Sequence, residues 1–117
     1  IINKPAPLPM HSGGRFDKNT LIEILKTAFP NENFKLVHRI DANTTGIVVV
    51  AKNSKAANEI IEQFKDQSVQ KEYLTLVDGI INKNSFVLKE NISKTLTPSG
   101  GRKVSEDGKE ATTMIPP

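Results

Sequence analysis

The sequence predicts a domain that mixes α-helices with β-strands, of the α+β or mixed α/β class. Two segments, which follow Thr20 and Ser54, carry apolar residues at the spacing of one helical face. Residues 47–50 form an unbroken β-branched run, which is typical of a strand. The length of 117 residues, with 37% hydrophobic residues, leaves room for one domain with a modest core.

The chain begins with a short predicted strand and a proline-rich segment. Ile1 and Ile2 indicate the strand, and the three prolines of residues 5–9 forbid helix and favour an extended path. Residues 11–14 end in two glycines, which predicts a turn or a flexible loop.

Two helices are predicted, each with one apolar face. Thr20 and Glu23 have the spacing of a capping box, and Pro30 limits how far the first helix can extend. The apolar face of this helix comprises Leu21, Ile24, Leu25 and Ala28. Ser54 is the expected cap of the second helix. The apolar face of the second helix comprises Ala57, Ile60, Ile61 and Phe64.

Further strands are expected along the chain. Residues 35–40 predict a short strand, and residues 47–50 predict a central strand that is buried on both faces. Side chains alternate over residues 72–81, which indicates a third strand region. Residues 91–109 are rich in turn-forming residues and predict loops. The remaining strands are expected at residues 86–88 and 111–115.

Composition excludes several kinds of chemistry. The absence of cysteine excludes disulfides, thiolate zinc sites, iron–sulfur clusters and cysteine nucleophiles. The sixteen basic and thirteen acidic residues give a net charge of +3, which permits a polyanionic partner without demanding one. The longest apolar run, residues 47–51, is too short to span a bilayer, and no signal peptide is visible. These features predict a soluble intracellular domain.

The two ends of the chain suggest a larger protein. It starts at Ile1 without a methionine, inside a predicted strand, and stops at Pro117 just after another β-like stretch. Natural termini are usually polar and frayed. We therefore expect this chain to be a piece of a longer protein.

Asp41 is the leading candidate for chemistry. It follows a predicted strand and opens a polar loop, residues 41–46, and functional residues often lie on loops held by rigid elements. Turn formation alone also explains the composition of this loop, because Asp, Asn, Thr and Gly satisfy their own backbone in turns. His38 and Arg39, directly before the loop, place positive charge where it favours an ionised carboxylate.

Four stretches of the sequence together match a known family. Residues 38–46 read His-Arg-Ile-Asp-x-x-Thr-Thr-Gly, residues 3–11 read Asn-Lys-Pro through to a His, and residues 71–79 read Lys-x-Tyr-x-x-x-Val-x-Gly. Residues 108–113 read Gly-Lys-x-Ala-x-Thr. In this order they resemble the RluA-type pseudouridine synthases. That family usually has Leu and Ser where this chain has Ile40 and Thr45.

The resemblance implies a fold and an activity. The fold is a mixed, mainly antiparallel sheet with two helices, and residues 1–117 would be the N-terminal portion of one catalytic domain whose C-terminal part is absent. The activity is the isomerisation of uridine to pseudouridine in ribosomal or transfer RNA, in the cytoplasm. It involves no redox change, so no nicotinamide, flavin or metal cofactor is implied. The expected partner is structured RNA, with no membrane and no obligatory protein partner. The alternative is a catalytically inactive RNA-binding module of the same fold.

The resemblance also assigns roles to individual residues. Asp41 matches the catalytic carboxylate, acting either as a nucleophile or as a general base. Arg39 would enter the RNA near the vacated base, and Tyr73 would stack on the target uracil, although a half-buried strand aromatic explains Tyr73 equally well. A guanidinium partner for Asp41 is expected from a motif beyond the chain end, so we expect this piece alone to be inactive.

The remaining candidates are basic side chains that could contact RNA. These are His38, Lys71 and Arg102, and His38 is also expected to orient the loop through its ring nitrogens. Arg15, Arg102 and Lys103 lie in glycine-rich segments that suit phosphate contacts, yet each could equally be a solvated charge. Lys4 and His11 either line the RNA path or belong to a proline-rich loop, and the loop interpretation is preferred. Thr44 and Gly46 are expected to shape the turn, Gly46 through its backbone freedom.

Overall fold

The computed structural model of the chain describes residues 1–13, 18–81, 85–98 and 101–115. Two helices and three antiparallel strand pairs are present in this part, which confirms the α+β class. The chain divides into two compact units, Ile1–Tyr73 and Leu74–Pro117. Arg15 lies outside the described residues. In chain order the elements are β1 (Ile2–Lys4), α1 (Leu21–Ala28), β2 (Lys35–Leu36), β3 (Gly46–Val48), β4 (Val50–Ala51), α2 (Ser54–Lys65), β5 (Phe86–Ile92) and β6 (Lys109–Ile115).

The β-branched run forms two strands instead of one. β3 pairs antiparallel with β1, whereas β4 pairs antiparallel with β2, so the chain changes partner at Val49. Val48 is fully buried, but Ile47 is 72% exposed. The prediction of burial on both faces is therefore wrong at Ile47, because only one face of β3 packs on the core.

Helix α1 forms as the sequence predicts. The Thr20 hydroxyl accepts a hydrogen bond of 3.4 Å from the backbone amide of Glu23, which satisfies one free donor of the first turn. Of the predicted apolar face, however, Ile24 is 49% exposed and Ala28 is exposed as well, so that face is confirmed only in part. Leu21 and Leu25 are buried. They pack in a core that also contains Met10, Ile40 and Val48.

Helix α2 differs from the prediction at its cap. Asn53, and not Ser54, has the extended backbone of an N-cap, and its side-chain oxygen accepts from the Ala56 amide at 2.9 Å. Ser54 is already the first helical residue. The predicted apolar face is confirmed, since its residues pack in a second core with Val37 and Ala51.

Two strand predictions are wrong in extent. Of residues 35–40 only Lys35–Leu36 pair as a strand, and residues 72–81 form none. Leu74 and Leu76 are fully exposed and Ile80 is 87% exposed. Alternating side chains favour a strand only where a neighbouring backbone supplies hydrogen-bond partners, and the structure provides no strand neighbour for these described residues.

The second unit is built on one hairpin. β5 and β6 pair antiparallel from Phe86↔Ile115 to Ile92↔Lys109. Pairing continues in an isolated bridge between Ile92 and Val104, so part of the predicted loop region is ordered by backbone contacts. The strands predicted at residues 86–88 and 111–115 are confirmed and are longer than expected. None of the described helices has the length and apolar character that crossing a bilayer requires.

Candidate active site

Asp41 lies at the surface, on the loop between β2 and β3. Its side chain is exposed, while its backbone carbonyl accepts a hydrogen bond of 3.1 Å from the Thr44 amide. This bond closes the polar turn. Gly46 ends the turn with a φ of +123°, a conformation that side chains with a Cβ disfavour, which confirms the predicted role of this glycine.

Lys4 links the proline-rich segment to this turn through hydrogen bonds. Its side chain is fully buried, and Nζ donates to the carbonyl oxygens of Pro5 at 3.0 Å, Leu8 at 2.8 Å and Ala42 at 3.1 Å. An ammonium has three N–H donors, so every one of them has an acceptor. The Leu8 amide also donates to the Ala42 oxygen, at 2.9 Å. The carbonyl oxygen of Ala42, the residue directly after Asp41, thus accepts hydrogen bonds from two donors.

The buried ammonium of Lys4 interacts electrostatically with Asp41. Burial lowers the pKa of Lys4 from its usual value, and the carboxylate of Asp41 opposes this by favouring the charged amine. The three carbonyl acceptors favour the same charged form. Lys4 therefore belongs to the interior of the loop and not to a surface path for RNA, and it places a positive charge within interaction range of Asp41.

His38 holds the other side of the loop. Its Nε2 accepts a hydrogen bond of 2.9 Å from the Val49 amide. The imidazole also stacks on Phe64 of α2, with ring centroids 4.7 Å apart and an angle of 17° between the planes. The pKa of His38 is lowered, first by burial and then by the positive charge of Lys71. The hydrogen bond from the Val49 amide therefore supports the predicted role of His38 in orienting the loop.

Arg39 is exposed beside Asp41 and lines a shallow open depression of about 420 Å³. The same depression is lined by His11, Leu36, Val37 and His38. The opening and central motifs of the sequence thus come together here, since His11 comes from the first and Arg39 from the second.

Two further candidates lie at the end of the first unit. Lys71 is exposed, with Nζ 5.8 Å from the centroid of the Phe64 ring, and Tyr73 is 64% exposed outside any strand. Tyr73 is not among the residues that line the depression. Its contact with uracil and the contact of Lys71 with RNA stay predictions.

Arg102 lies in the second unit, in the turn region of its hairpin. Its guanidinium donates to the carbonyl oxygen of Ser93, and the Ser93 amide donates to the Lys103 oxygen at 2.8 Å. The exposed remainder of the Arg102 side chain is still available for other contacts. Its RNA contact also stays a prediction.

Sequence reasoning underestimated Lys4, whose role is visible only in three dimensions. One signal for it is nevertheless present in the sequence. Prolines have no amide hydrogen, so a segment with three of them is poor in donors for nearby carbonyls, and a lysine directly before it can supply them.

Proteins of known family are similar to this chain over nearly its whole length. A sequence profile described as RNA pseudouridylate synthase matches residues 1–115. Ribosomal large subunit pseudouridine synthase C of Pasteurella multocida is 39% identical over 118 aligned positions, which cover 98% of this chain and 36% of that protein. The protein of the same name from Haemophilus ducreyi is 40% identical, over 98% of this chain and 37% of its own length.

Solved structures agree with the sequence matches. Human RNA pseudouridylate synthase domain containing 1 superposes with a TM-score of 0.68 at 26% identity, covering 96% of this chain and 43% of that one. The profile match and the fold therefore define the class as that of pseudouridine synthase domains, which are isomerases. The chain belongs to the RNA pseudouridylate synthase family. It spans little more than a third of the length of the two bacterial relatives.

Proposed function

We propose that this chain is the N-terminal portion of one pseudouridine synthase catalytic domain, and that the full-length protein isomerises uridine to pseudouridine in structured RNA. The family membership supports this activity. Both bacterial relatives are named for the large ribosomal subunit, which favours ribosomal over transfer RNA as the substrate. The proposed site of action is the cytoplasm.

One observation carries the proposal: an exposed aspartate stands on a turn that is fixed on both sides. Lys4 and Leu8 hold Ala42 after Asp41, and His38 holds Val49 across the loop. A catalytic group must keep its geometry without rearranging when the substrate arrives, and a turn held at both ends meets that requirement.

Asp41 is the proposed catalytic carboxylate. The reaction breaks the bond between N1 of uracil and C1′ of the ribose, turns the base, and joins C5 to C1′. A proton leaves C5 and N1 gains one, so no electrons are exchanged with a cofactor. The carboxylate either adds to the sugar or base as a nucleophile, or removes a sugar proton as a general base.

Arg39 and Tyr73 are the proposed substrate-binding residues. Arg39 is exposed beside the catalytic turn, where its guanidinium can occupy the space that the extruded uridine leaves. Tyr73 offers an exposed ring for stacking on the uracil. Base stacking worth about 1–3 kcal/mol offsets part of the few kcal/mol that extrusion costs. His38, Lys71 and Arg102 remain proposed RNA contacts.

The test is Asp41→Asn in the full-length protein, assayed for pseudouridine in RNA from cells that lack the native enzyme. We expect the rate to fall at least ~10³-fold, because the amide can neither attack nor accept the proton. RNA affinity should stay within about twofold, since the exchange keeps the shape of the side chain. Asp107→Asn, at an exposed aspartate in the turn before β6, is the matched control and should retain the wild-type rate.

Two outcomes would change the assignment. Full modification by Asp41→Asn would remove this carboxylate from the mechanism. If the unaltered full-length protein binds structured RNA and modifies none of its uridines, the chain is an inactive RNA-binding module of the same fold.

A further inference from the structure

The imidazole of His38 connects the two ends of the loop that carries Asp41. His38 precedes the turn, and Val49 follows it in the gap between β3 and β4. Because β3 pairs with β1 and β4 pairs with β2, the Val49 amide lies where the chain changes strand partner. The ring nitrogen supplies the acceptor for this amide, at 2.9 Å, where a neighbouring strand would normally do so.

This hydrogen bond requires a neutral ring. A ring nitrogen accepts a hydrogen bond only when it carries no proton, so Nε2 is unprotonated and Nδ1 carries the hydrogen. In the imidazolium form both nitrogens are donors, and the Nε2 hydrogen would point at the Val49 amide hydrogen. Protonating His38 therefore replaces an attractive contact with a repulsive one.

The surroundings of the ring favour the neutral form. On one side it stacks on Phe64, which brings no charge. Lys71 opposes protonation through its positive charge, and burial acts in the same direction. Arg39 and His11, which line the same depression as His38, are the other charged or titratable groups at this place among the described residues. The negative group nearest along the chain is Asp41 itself, on the exposed turn.

We propose that His38 is a positioning residue for the pseudouridine synthase reaction: its neutral imidazole holds the Asp41 loop to Val49, and protonation of the ring releases the loop and slows turnover. This inference rests on the proposed function. It makes the Asp41 loop sensitive to mild acid, because an unperturbed histidine protonates at about pH 6.5 and the pKa of His38 lies below that value.

Two substitutions in the full-length protein separate the possible roles of the ring. His38→Gln places an amide oxygen near the position of Nε2 and cannot be protonated in this range. His38→Phe keeps an aromatic ring to stack on Phe64 and removes the acceptor. We expect kcat of His38→Phe to fall about tenfold or more near pH 7.5, and kcat of His38→Gln to lie well above that of His38→Phe. Loss of the proposed RNA contact of His38 would instead raise KM for RNA in both variants alike.

The pH profile is the decisive readout. As the pH falls below about 6.5, kcat of the wild type should decline, whereas kcat of His38→Gln should decline far less. Identical profiles for the wild type and His38→Gln would overturn the proposal. So would a His38→Phe variant with wild-type kcat near pH 7.5.

A control is needed for loss of stability alone. Thr20→Ala removes the side-chain cap of helix α1 and so lowers stability, without removing any of the hydrogen bonds that hold the Asp41 loop. It should keep wild-type kcat and an unchanged pH profile. If Thr20→Ala lowers kcat as much as His38→Phe does, the effect of His38 is merely structural and the proposal fails.

A measurement without RNA keeps this inference distinct from the proposed function. The pKa of His38 is lower in the fold than in the unfolded chain, so below about pH 6.5 the unfolded chain binds more protons and the free energy of unfolding decreases as the pH falls. His38→Gln should lack this part of the decrease, and the Val49 amide resonance should titrate together with the His38 ring in the wild type only. Loss of activity in Asp41→Asn tests the function, whereas absence of this titration refutes the role of His38 whatever the function.

Discussion

Lys4 shows how one buried charge can organise the loop that carries Asp41. Its ammonium has carbonyl acceptors from Pro5, Leu8 and Ala42, and it acts electrostatically on Asp41. We expected a positive partner for this carboxylate from a later motif. Within this chain the positive charge near Asp41 is Lys4, which lies earlier in the sequence, at the end of β1. Lys4 also donates a hydrogen bond to the backbone of the loop.

Lys4→Met should destabilise the first unit by about 2–3 kcal/mol, because the apolar side chain fills similar space but cannot donate to the part-buried carbonyls of Pro5 and Leu8. Chemical denaturation of the full chain measures the change. Lys55→Met, at an exposed lysine of α2, is the control and should be close to neutral. Equal unfolding midpoints for the two variants would show that the Lys4 bonds contribute little.

Residues whose role depends on local chemistry were predictable, and those whose role depends on distant contacts were not. Thr20 caps its helix through the amide of Glu23, and Gly46 takes the backbone angle that a glycine permits, both within a few residues. Lys4 and Ala42 are distant in sequence, so no pattern along the chain pairs them. For the same reason, Asp41 could be placed on a loop from the sequence, whereas the two anchors of that loop could not.

At the scale of elements, the helices were predictable and the strands only in part. Amphipathic spacing defines a helix from its own residues, and the apolar face of α2 packs as expected. In α1 only Leu21 and Leu25 of the predicted face pack in the core. A strand depends on its neighbour, which the local sequence does not specify. Residues 47–50 therefore divide between two partners, and residues 72–81 form no strand despite their alternation.

The hairpin of β5 and β6 depends on a glycine at its turn. A Cβ at Gly108 would lie 2.7 Å from backbone atoms of Ile92 and Ser105, which have no room to move aside. Gly108→Ala should therefore destabilise the hairpin by about 2–3 kcal/mol. Faster amide hydrogen exchange in β5 and β6 is the expected measurement.

Gly101→Ala is the matched control for that experiment. Among the residues that the structure describes, a Cβ there would meet only the Thr97 hydroxyl, at an ordinary contact distance of 3.5 Å. Its exchange rates should resemble those of the wild type. Comparable protection in both variants would mean that the backbone near Gly108 adjusts without cost.

For the whole molecule, the main consequence is that this chain should not act alone. It spans 36% and 37% of the two bacterial relatives, and a guanidinium partner for Asp41 is expected outside it. We expect the isolated 117-residue chain to form no detectable pseudouridine in an RNA that the full-length protein modifies. Mass spectrometry of the RNA after incubation with either protein measures this. Turnover by the isolated chain would show that residues 1–117 hold the complete catalytic apparatus.

The full burial of Lys4 has one more consequence, for the response of the protein to dissolved ions. Mobile ions screen contacts between exposed charges, such as those of a surface arginine with phosphate, much more than contacts inside a protein. Added salt should therefore lower the affinity for the proposed RNA substrate at concentrations that leave the conformation of the Asp41 turn unchanged. Under concentrated electrolyte the protein would lose the proposed RNA substrate while the Asp41 carboxylate stays in place.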